Sequence, residues 1–150
     1  SMIKKFLFIL FLSFLFCNNG FSKTNEELRA EYVLSNMQQD YITCYSFYKI
    51  GAEYIRKSNG KQDIIKGVEN SSNTSLRLVH ETGELIGMTL KEMSYKVKNE
   101  MKKQMNQIDN DFNNAPILLN KYASQCKRLI ENKKQRILFW EKKSIDKFNE

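Results

Sequence analysis

Histidine is nearly absent from this 150-residue sequence, which contains only His80. Triad catalysis usually takes its general base from a histidine, and no Gly-x-Ser-x-Gly turn accompanies this one. The stretch that starts at His80 begins like a zinc-protease helix, but Glu84 stands where the second histidine ligand belongs. We therefore expect no catalytic residue, no cofactor and no metal site. An enzyme that uses carboxylates alone, such as a glycan hydrolase, stays open.

Signals for β-structure are also missing. No stretch alternates apolar and polar residues with a period of two, and no hairpin turn is recognisable. The only proline is Pro116, so few positions forbid a helix. A hydrophobic fraction of 41% is enough to fill the core of one ordinary domain. The sequence therefore predicts an all-α fold.

Charged residues are absent from Phe6–Phe16, an apolar run that follows Lys4 and Lys5. A short basic stretch followed by such a run is typical of a secretory signal peptide. Gly20 and Ser22 supply the small residues that signal peptidase requires before its cleavage point. The pattern predicts export from the cytoplasm.

The predicted domain organisation follows from this cleavage point. We predict a signal peptide over residues 1–22, in which Ser1 is a cloning remnant, and a single helical domain over residues 23–150. The predicted location is the periplasm or the exterior of a bacterium. An uncleaved N-terminal segment that anchors the protein in the inner membrane is the alternative, although the run is short for a membrane-spanning helix.

Apolar residues spaced by three and four dominate the rest of the chain. They predict a first helix from about Asn25 to Lys57, with Ser58-Asn59-Gly60 as its stop. The polar tract from Asn70 to Ser75 predicts a loop.

A second helix of unusual length is predicted from Val79 to Phe112, and Pro116 fits the first turn of a third helix. A last apolar segment surrounds Ile137–Trp140. Because each apolar stripe must be buried against another, these segments predict a small up-down bundle of three to four helices.

Two of the three cysteines lie on the interior stripes of different predicted helices. Cys44 belongs to the first helix and Cys126 to the third, and an exported chain meets oxidising conditions. We predict a disulfide between them that closes the bundle. Two buried free thiols are the alternative, and the lack of Cys-x-x-Cys spacing argues against a redox-active pair.

Glycine and methionine positions give two further predictions. Gly83 and Gly87 lie one helical turn apart and cost stability in a helix interior, so we expect a close approach of another backbone there. Met93, Met101 and Met105 fall on the apolar stripe of the second helix and are interpreted as core filling. The other interpretation is that methionines, alone or with His80, bind copper or haem.

The C-terminal segment gathers lysines and arginines around an aromatic cluster. We predict an interaction surface there, formed by Arg136, Phe139, Trp140, Lys142 and Lys143. A cationic helix of this kind binds a membrane surface, an acidic partner or a helix groove. The alternative is that its apolar side packs on the bundle while its lysines face water.

These observations predict a function only in outline. The leading hypothesis is an exported, non-enzymatic helical protein that binds another macromolecule in the bacterial envelope, of the inhibitor, immunity or accessory type. Removal of Lys4 and Lys5 with the signal peptide leaves 22 basic and 17 acidic residues, a formal charge of +5. This charge favours an anionic envelope partner, and export argues against nucleic acid. The alternative is a basic surface that is only solvated. The alternative is a helical-bundle protein that binds a metal, haem or an apolar small molecule. Self-association stays open.

Overall fold

The computed structural model of the protein describes residues 22–148. Five α-helices and one short 3-10 turn lie in this part of the chain, and no strand does. The helices are α1 (Asn25–Lys57), α2 (Gln62–Leu85), α3 (Leu90–Gln107), α4 (Pro116–Glu131) and α5 (Lys133–Phe148). The all-α prediction is confirmed, but the count of three to four helices is wrong. Residues 1–21, which hold most of the predicted signal peptide, lie outside the described residues.

The first helix forms the centre of the bundle, because α1 contacts each of the other four helices. It begins at Thr24, whose side chain accepts a hydrogen bond from the backbone of Glu27, while the Glu27 carboxylate accepts one from the backbone of Thr24. It ends where Asn59 takes a left-handed conformation. Both ends agree with the sequence prediction. Buried side chains lie on several sides of α1: Met37, Gln38, Asp40, Tyr41, Ile42, Cys44, Ser46, Phe47, Ile50 and Ala52.

The second and third helices pack along α1 in opposite directions. Helix α2 is antiparallel to α1, since Arg56 pairs with Glu69 near one end and Gln38 donates to the carbonyl of Val79 near the other. Helix α3 is parallel to α1. Its Lys96 donates to Gln38 at 3.1 Å, and a later residue, Gln104, donates to the Thr43 carbonyl at 2.9 Å.

The last two helices follow one another along α1. The ring of Tyr122 packs 6.2 Å from that of Phe47, whereas Arg136 bonds Asp40, so the chain here runs antiparallel to α1. Asn132 departs from helical geometry and separates α4 from α5. The result is an up-down arrangement in which the fourth position is occupied by two shorter helices. We call α4, Asn132 and α5 together the C-terminal arm, residues 116–148.

The loop predicted for the tract from Asn70 to Ser75 is wrong, because these residues lie inside α2. Ser72 and Ser75 fall on the buried face of that helix, and α1 is its main neighbour. Small side chains let two helices pack closely, and the Ser75 hydroxyl donates to the Ser71 carbonyl one turn earlier at 2.9 Å. Polar composition therefore concealed a packing face.

The prediction of a single long second helix is also wrong, because the chain turns at Gly87, which has a φ of +73°. Its N–H donates to the Glu84 carbonyl at 3.0 Å, and the next N–H donates to the Gly83 carbonyl at 2.9 Å. This paired cap ends α2. The side chains of Thr89 and Glu92 then form a capping box that starts α3.

The close approach predicted at the two glycines occurs at Gly83 only. A Cβ placed on Gly83 would collide with Met93 Sδ and would lie 2.7 Å from Gln38 Nε2. The neighbours are therefore side chains of α3 and α1 rather than a backbone. Gly87 has open space around it and is required for its positive φ instead.

We predict that Gly83→Ala destabilises the protein by about 1–3 kcal/mol, because the new methyl group must displace Met93 and Gln38. Gly67→Ala is the matched control in the same helix, where nothing lies within 4 Å of an added Cβ. The control should be neutral or stabilise by about 0.5–1 kcal/mol through its better helix propensity. Urea unfolding followed by circular dichroism measures both. Equal free energies of unfolding for the two variants would contradict this packing.

The predicted disulfide is confirmed, since Cys44 of α1 and Cys126 of α4 are bonded. Their Cα atoms lie 5.4 Å apart, and both side chains are fully buried. The bond closes a loop with a sequence separation of 82 residues. It holds the first half of the C-terminal arm against the central helix.

Replacement of Cys44 and Cys126 by serine should preserve the helical spectrum and reduce stability. The chain-entropy model gives about 4.5 kcal/mol for a loop of this length as the upper figure, since the unfolded chain regains its freedom. Thermal unfolding monitored at 222 nm tests the size of the loss, and thiol titration of the unreduced, denatured protein tests the bond. In the wild-type protein, two reactive thiols at Cys44 and Cys126 would contradict the disulfide.

Candidate functional site

The carboxylate of Asp40 lies in the middle of α1 with only 7% of the residue exposed. Arg136 of α5 donates to it twice, from Nε to Oδ2 at 2.7 Å and from a terminal nitrogen to Oδ1 at 3.0 Å. The indole N–H of Trp140 donates to Oδ2 at 2.6 Å, and the amide of Gln125 donates to Oδ1 at 3.3 Å. We call these four residues the Asp40 cluster.

The Asp40 cluster satisfies a charge that would otherwise be costly to bury. A two-pronged arginine–carboxylate pair is among the stronger polar contacts in proteins, and the indole and amide donors supply the remaining bonds. The guanidinium of Arg136 also stacks 4.6 Å from the ring centre of Phe139 and 4.7 Å from that of Trp140. The cluster therefore determines which side of α5 faces α1.

Aromatic contacts extend this interface toward the N-terminal end of α1. The ring of Tyr32 packs edge to face with Trp140 at 6.1 Å and with Phe148 at 5.8 Å between centres. The Lys147 ammonium lies 4.8 Å from the Tyr32 ring centre. These contacts hold α5 against α1 from the Asp40 cluster to Phe148.

Tyr41, the neighbour of Asp40 in sequence, is buried and stays protonated. Burial, followed by the negative charges of Asp40 and Glu81, raises the pKa of Tyr41 to about 12, while Arg77 acts in the opposite direction. A phenol with this pKa is neutral at physiological pH.

The five residues of the predicted interaction surface divide into two groups. Arg136 and Trp140 face inward and belong to the Asp40 cluster. Phe139, Lys142 and Lys143 are exposed, and the Lys143 ammonium lies 5.9 Å from the Phe139 ring centre. Their use as an interaction surface stays a prediction.

The outward face of α5 carries more apolar area than these residues alone. Leu138 and Ile145, two helical turns apart, are 53% and 40% exposed, and Phe139 beside them is 42% exposed. Lys134 and Lys142 lie on the same exposed face. The side of α5 that faces solvent thus carries both apolar and cationic side chains. The opposite side is packed on α1.

Charge is distributed very unevenly over the molecule. The C-terminal arm holds nine basic and three acidic residues, a formal excess of +6, whereas residues 22–115 hold thirteen of each. Seven of the nine basic residues of the arm are lysines, and one of its two arginines, Arg136, is neutralised by Asp40. The whole formal net charge of the described residues therefore lies on the C-terminal arm.

Two open hollows lie beside the C-terminal half of α1. The larger, about 420 Å³, has Ile50, Ala52, Met101, Met105 and Phe112 at its apolar floor and Lys49, Glu53, Arg56 and Glu69 at its rim. The smaller, about 330 Å³, borders Phe112 and the loop before α4. Of the methionines predicted as core filling, Met93 is buried, whereas Met101 and Met105 pack against the core and also border the larger hollow. In the described part of the chain, no three His, Cys, Asp or Glu side chains gather as metal ligands would.

Comparison with protein-family models, with curated proteins and with solved structures gives no match for this chain. Among residues 22–148, no helix is both long and apolar enough to cross a membrane.

Sequence reasoning missed Asp40 and Gln125. Asp40 lies one helical turn before Cys44, and Gln125 directly precedes Cys126, so the predicted disulfide already brings both side chains near each other. An acidic residue on an otherwise apolar stripe, close to a crosslink, was the available signal. Its partners on α5 are 96 and 100 residues away and leave no periodic trace.

Asp40→Asn should lower the free energy of unfolding by about 2 kcal/mol, because Arg136 then keeps a half-buried positive charge without its counterion. Trp140 is the only tryptophan, so its fluorescence reports on this cluster directly during denaturant unfolding. Asp146→Asn, at an exposed position of the same helix, is the matched control and should change stability by less than about 0.5 kcal/mol. Indistinguishable unfolding midpoints for the two variants would contradict the role assigned to Asp40.

Proposed function

We propose that the chain is an exported, non-enzymatic helical protein that binds another macromolecule of the bacterial envelope through its C-terminal arm. The observation that carries the proposal is the charge separation: a formal +6 on residues 116–148 beside a neutral remainder of residues 22–115. Such a field attracts an anionic partner and speeds its encounter. A binding protein of the inhibitor, immunity or envelope accessory type fits this proposal.

Export supports an envelope partner over nucleic acid. The signal-like residues 1–22 and the disulfide between Cys44 and Cys126 both fit an oxidising compartment outside the cytoplasm. The poverty of catalytic side chains supports a binding role, since His80 is the only histidine.

A second candidate function is the binding of an apolar small molecule. The larger hollow favours it, because Met101, Met105 and Phe112 combine an adaptable apolar floor with charged residues at the rim. Native mass spectrometry of protein isolated from its host tests this candidate. A retained small molecule that is lost on Met101→Lys would support it.

The proposed function predicts that reversing the charge of the arm abolishes partner capture. Lys134→Glu/Lys142→Glu/Lys143→Glu changes three exposed positions of α5 and leaves the Asp40 cluster intact. The tagged protein is incubated with the native envelope fraction, and bound molecules are identified by mass spectrometry. Capture by wild type should fall steeply as salt rises and should be lost in the variant.

The matched control is Lys91→Glu/Lys98→Glu/Lys102→Glu, which makes the same change in net charge at exposed positions of α3. It should retain capture. Loss of capture in the control to the same extent would mean that net charge alone matters. Unchanged capture by the arm variant would place the binding surface elsewhere on the molecule.

A further inference from the structure

The outward face of α5 combines apolar and cationic side chains in a particular order. Leu138 and Ile145 are separated by two helical turns, Lys142 lies between them, and Lys134 lies one turn before Leu138. Each exposed apolar side chain therefore has a lysine within about one turn of the helix. Lysine side chains can lie along apolar surface while their ammonium groups reach polar surroundings.

We infer that the partner of the C-terminal arm is the surface of a membrane that contains anionic phospholipid. This inference rests on the proposed function and names the chemistry of its partner. Helix α5 lies in the plane of the headgroups, with Leu138, Phe139 and Ile145 reaching the acyl boundary and the lysines contacting phosphates. The protein does not cross the bilayer in this arrangement; it binds at its surface.

Residue types favour a lipid surface over a protein partner. The centres of protein interfaces are depleted in lysine and enriched in arginine and buried aromatic anchors. On the arm the free charges are mainly lysines, whereas Arg136 and Trp140 are used internally on Asp40. Interfacial helices combine lysine with leucine and phenylalanine, and α5 exposes all three residue types.

The shape of the site points the same way. The apolar residues project from the outer side of a helix whose opposite side is packed on α1, so they form a ridge and no groove for a peptide. A bilayer surface receives a ridge without shape complementarity. Helix α4, which precedes α5 along α1, adds the exposed basic residues Lys121, Lys127 and Arg128 to the arm, of which Lys127 is paired with Glu131.

The test is co-sedimentation of the protein, purified from its exported fraction, with vesicles of phosphatidylglycerol and phosphatidylcholine or of phosphatidylcholine alone. We expect binding to the anionic vesicles only, reduced by salt. Lys134→Gln/Lys142→Gln/Lys143→Gln should weaken it about a hundredfold, since each lysine near an anionic surface contributes about fivefold. The control Lys91→Gln/Lys98→Gln/Lys102→Gln should bind like wild type.

A second pair of variants tests insertion of the apolar side chains. Leu138→Ser/Ile145→Ser should weaken binding to the anionic vesicles on the order of tenfold. Leu90→Ser/Tyr95→Ser, which alters two residues on α3 that are each 67% exposed, should have no effect. Equal losses in the two variants, or anionic binding that ignores all arm substitutions, would overturn the inference.

The remaining outcomes separate the two proposals. If vesicles of either composition fail to bind while an envelope protein is captured through the arm lysines, the lipid inference is overturned and the proposed function stands. If neither vesicles nor envelope molecules bind, both fail. Binding to neutral vesicles of equal strength also overturns the inference, because phosphate charge then plays no part.

Discussion

The buried carboxylate of Asp40 is the interaction on which the arrangement of the C-terminal half depends. The disulfide holds α4 to α1, but no cysteine follows Cys126, so no disulfide holds α5. Helix α5 contacts mainly α1. The guanidinium of Arg136 and the indole of Trp140 converge on the same carboxylate, and this sets the rotation of α5 about its own axis. That rotation turns Leu138 and Ile145 outward.

One side of α5 therefore attaches the helix to α1, and the other side is exposed to solvent. On the inward side, Arg136 and Trp140 bind Asp40, while the outward side carries lysines and partly exposed apolar residues. The rest of the described chain is neutral, with thirteen acidic and thirteen basic residues over 22–115. A neutral bundle thus supports a cationic arm, and this is the physical basis of the binding role that we propose.

Local rules predicted the parts of this fold that are locally determined. The limits of α1 follow from the capping residues at Thr24 and Asn59, and the disulfide follows from the stripe spacing of its cysteines. The tract from Asn70 to Ser75 was misread because polar serines also serve close helix packing, which composition cannot distinguish from a loop. The turn at Gly87 was missed because the apolar spacing continues across it. The partners of Asp40 lie far along the chain, so only tertiary structure brings them together.

Hydrogen–deuterium exchange of the Asp40→Asn variant measures most directly whether this carboxylate holds the arm in place. We expect faster exchange than in wild type confined to residues 133–148, with residues 116–131 unchanged because the disulfide still holds them. Exchange in α5 that matches wild type would contradict it, as would an even rise over all five helices.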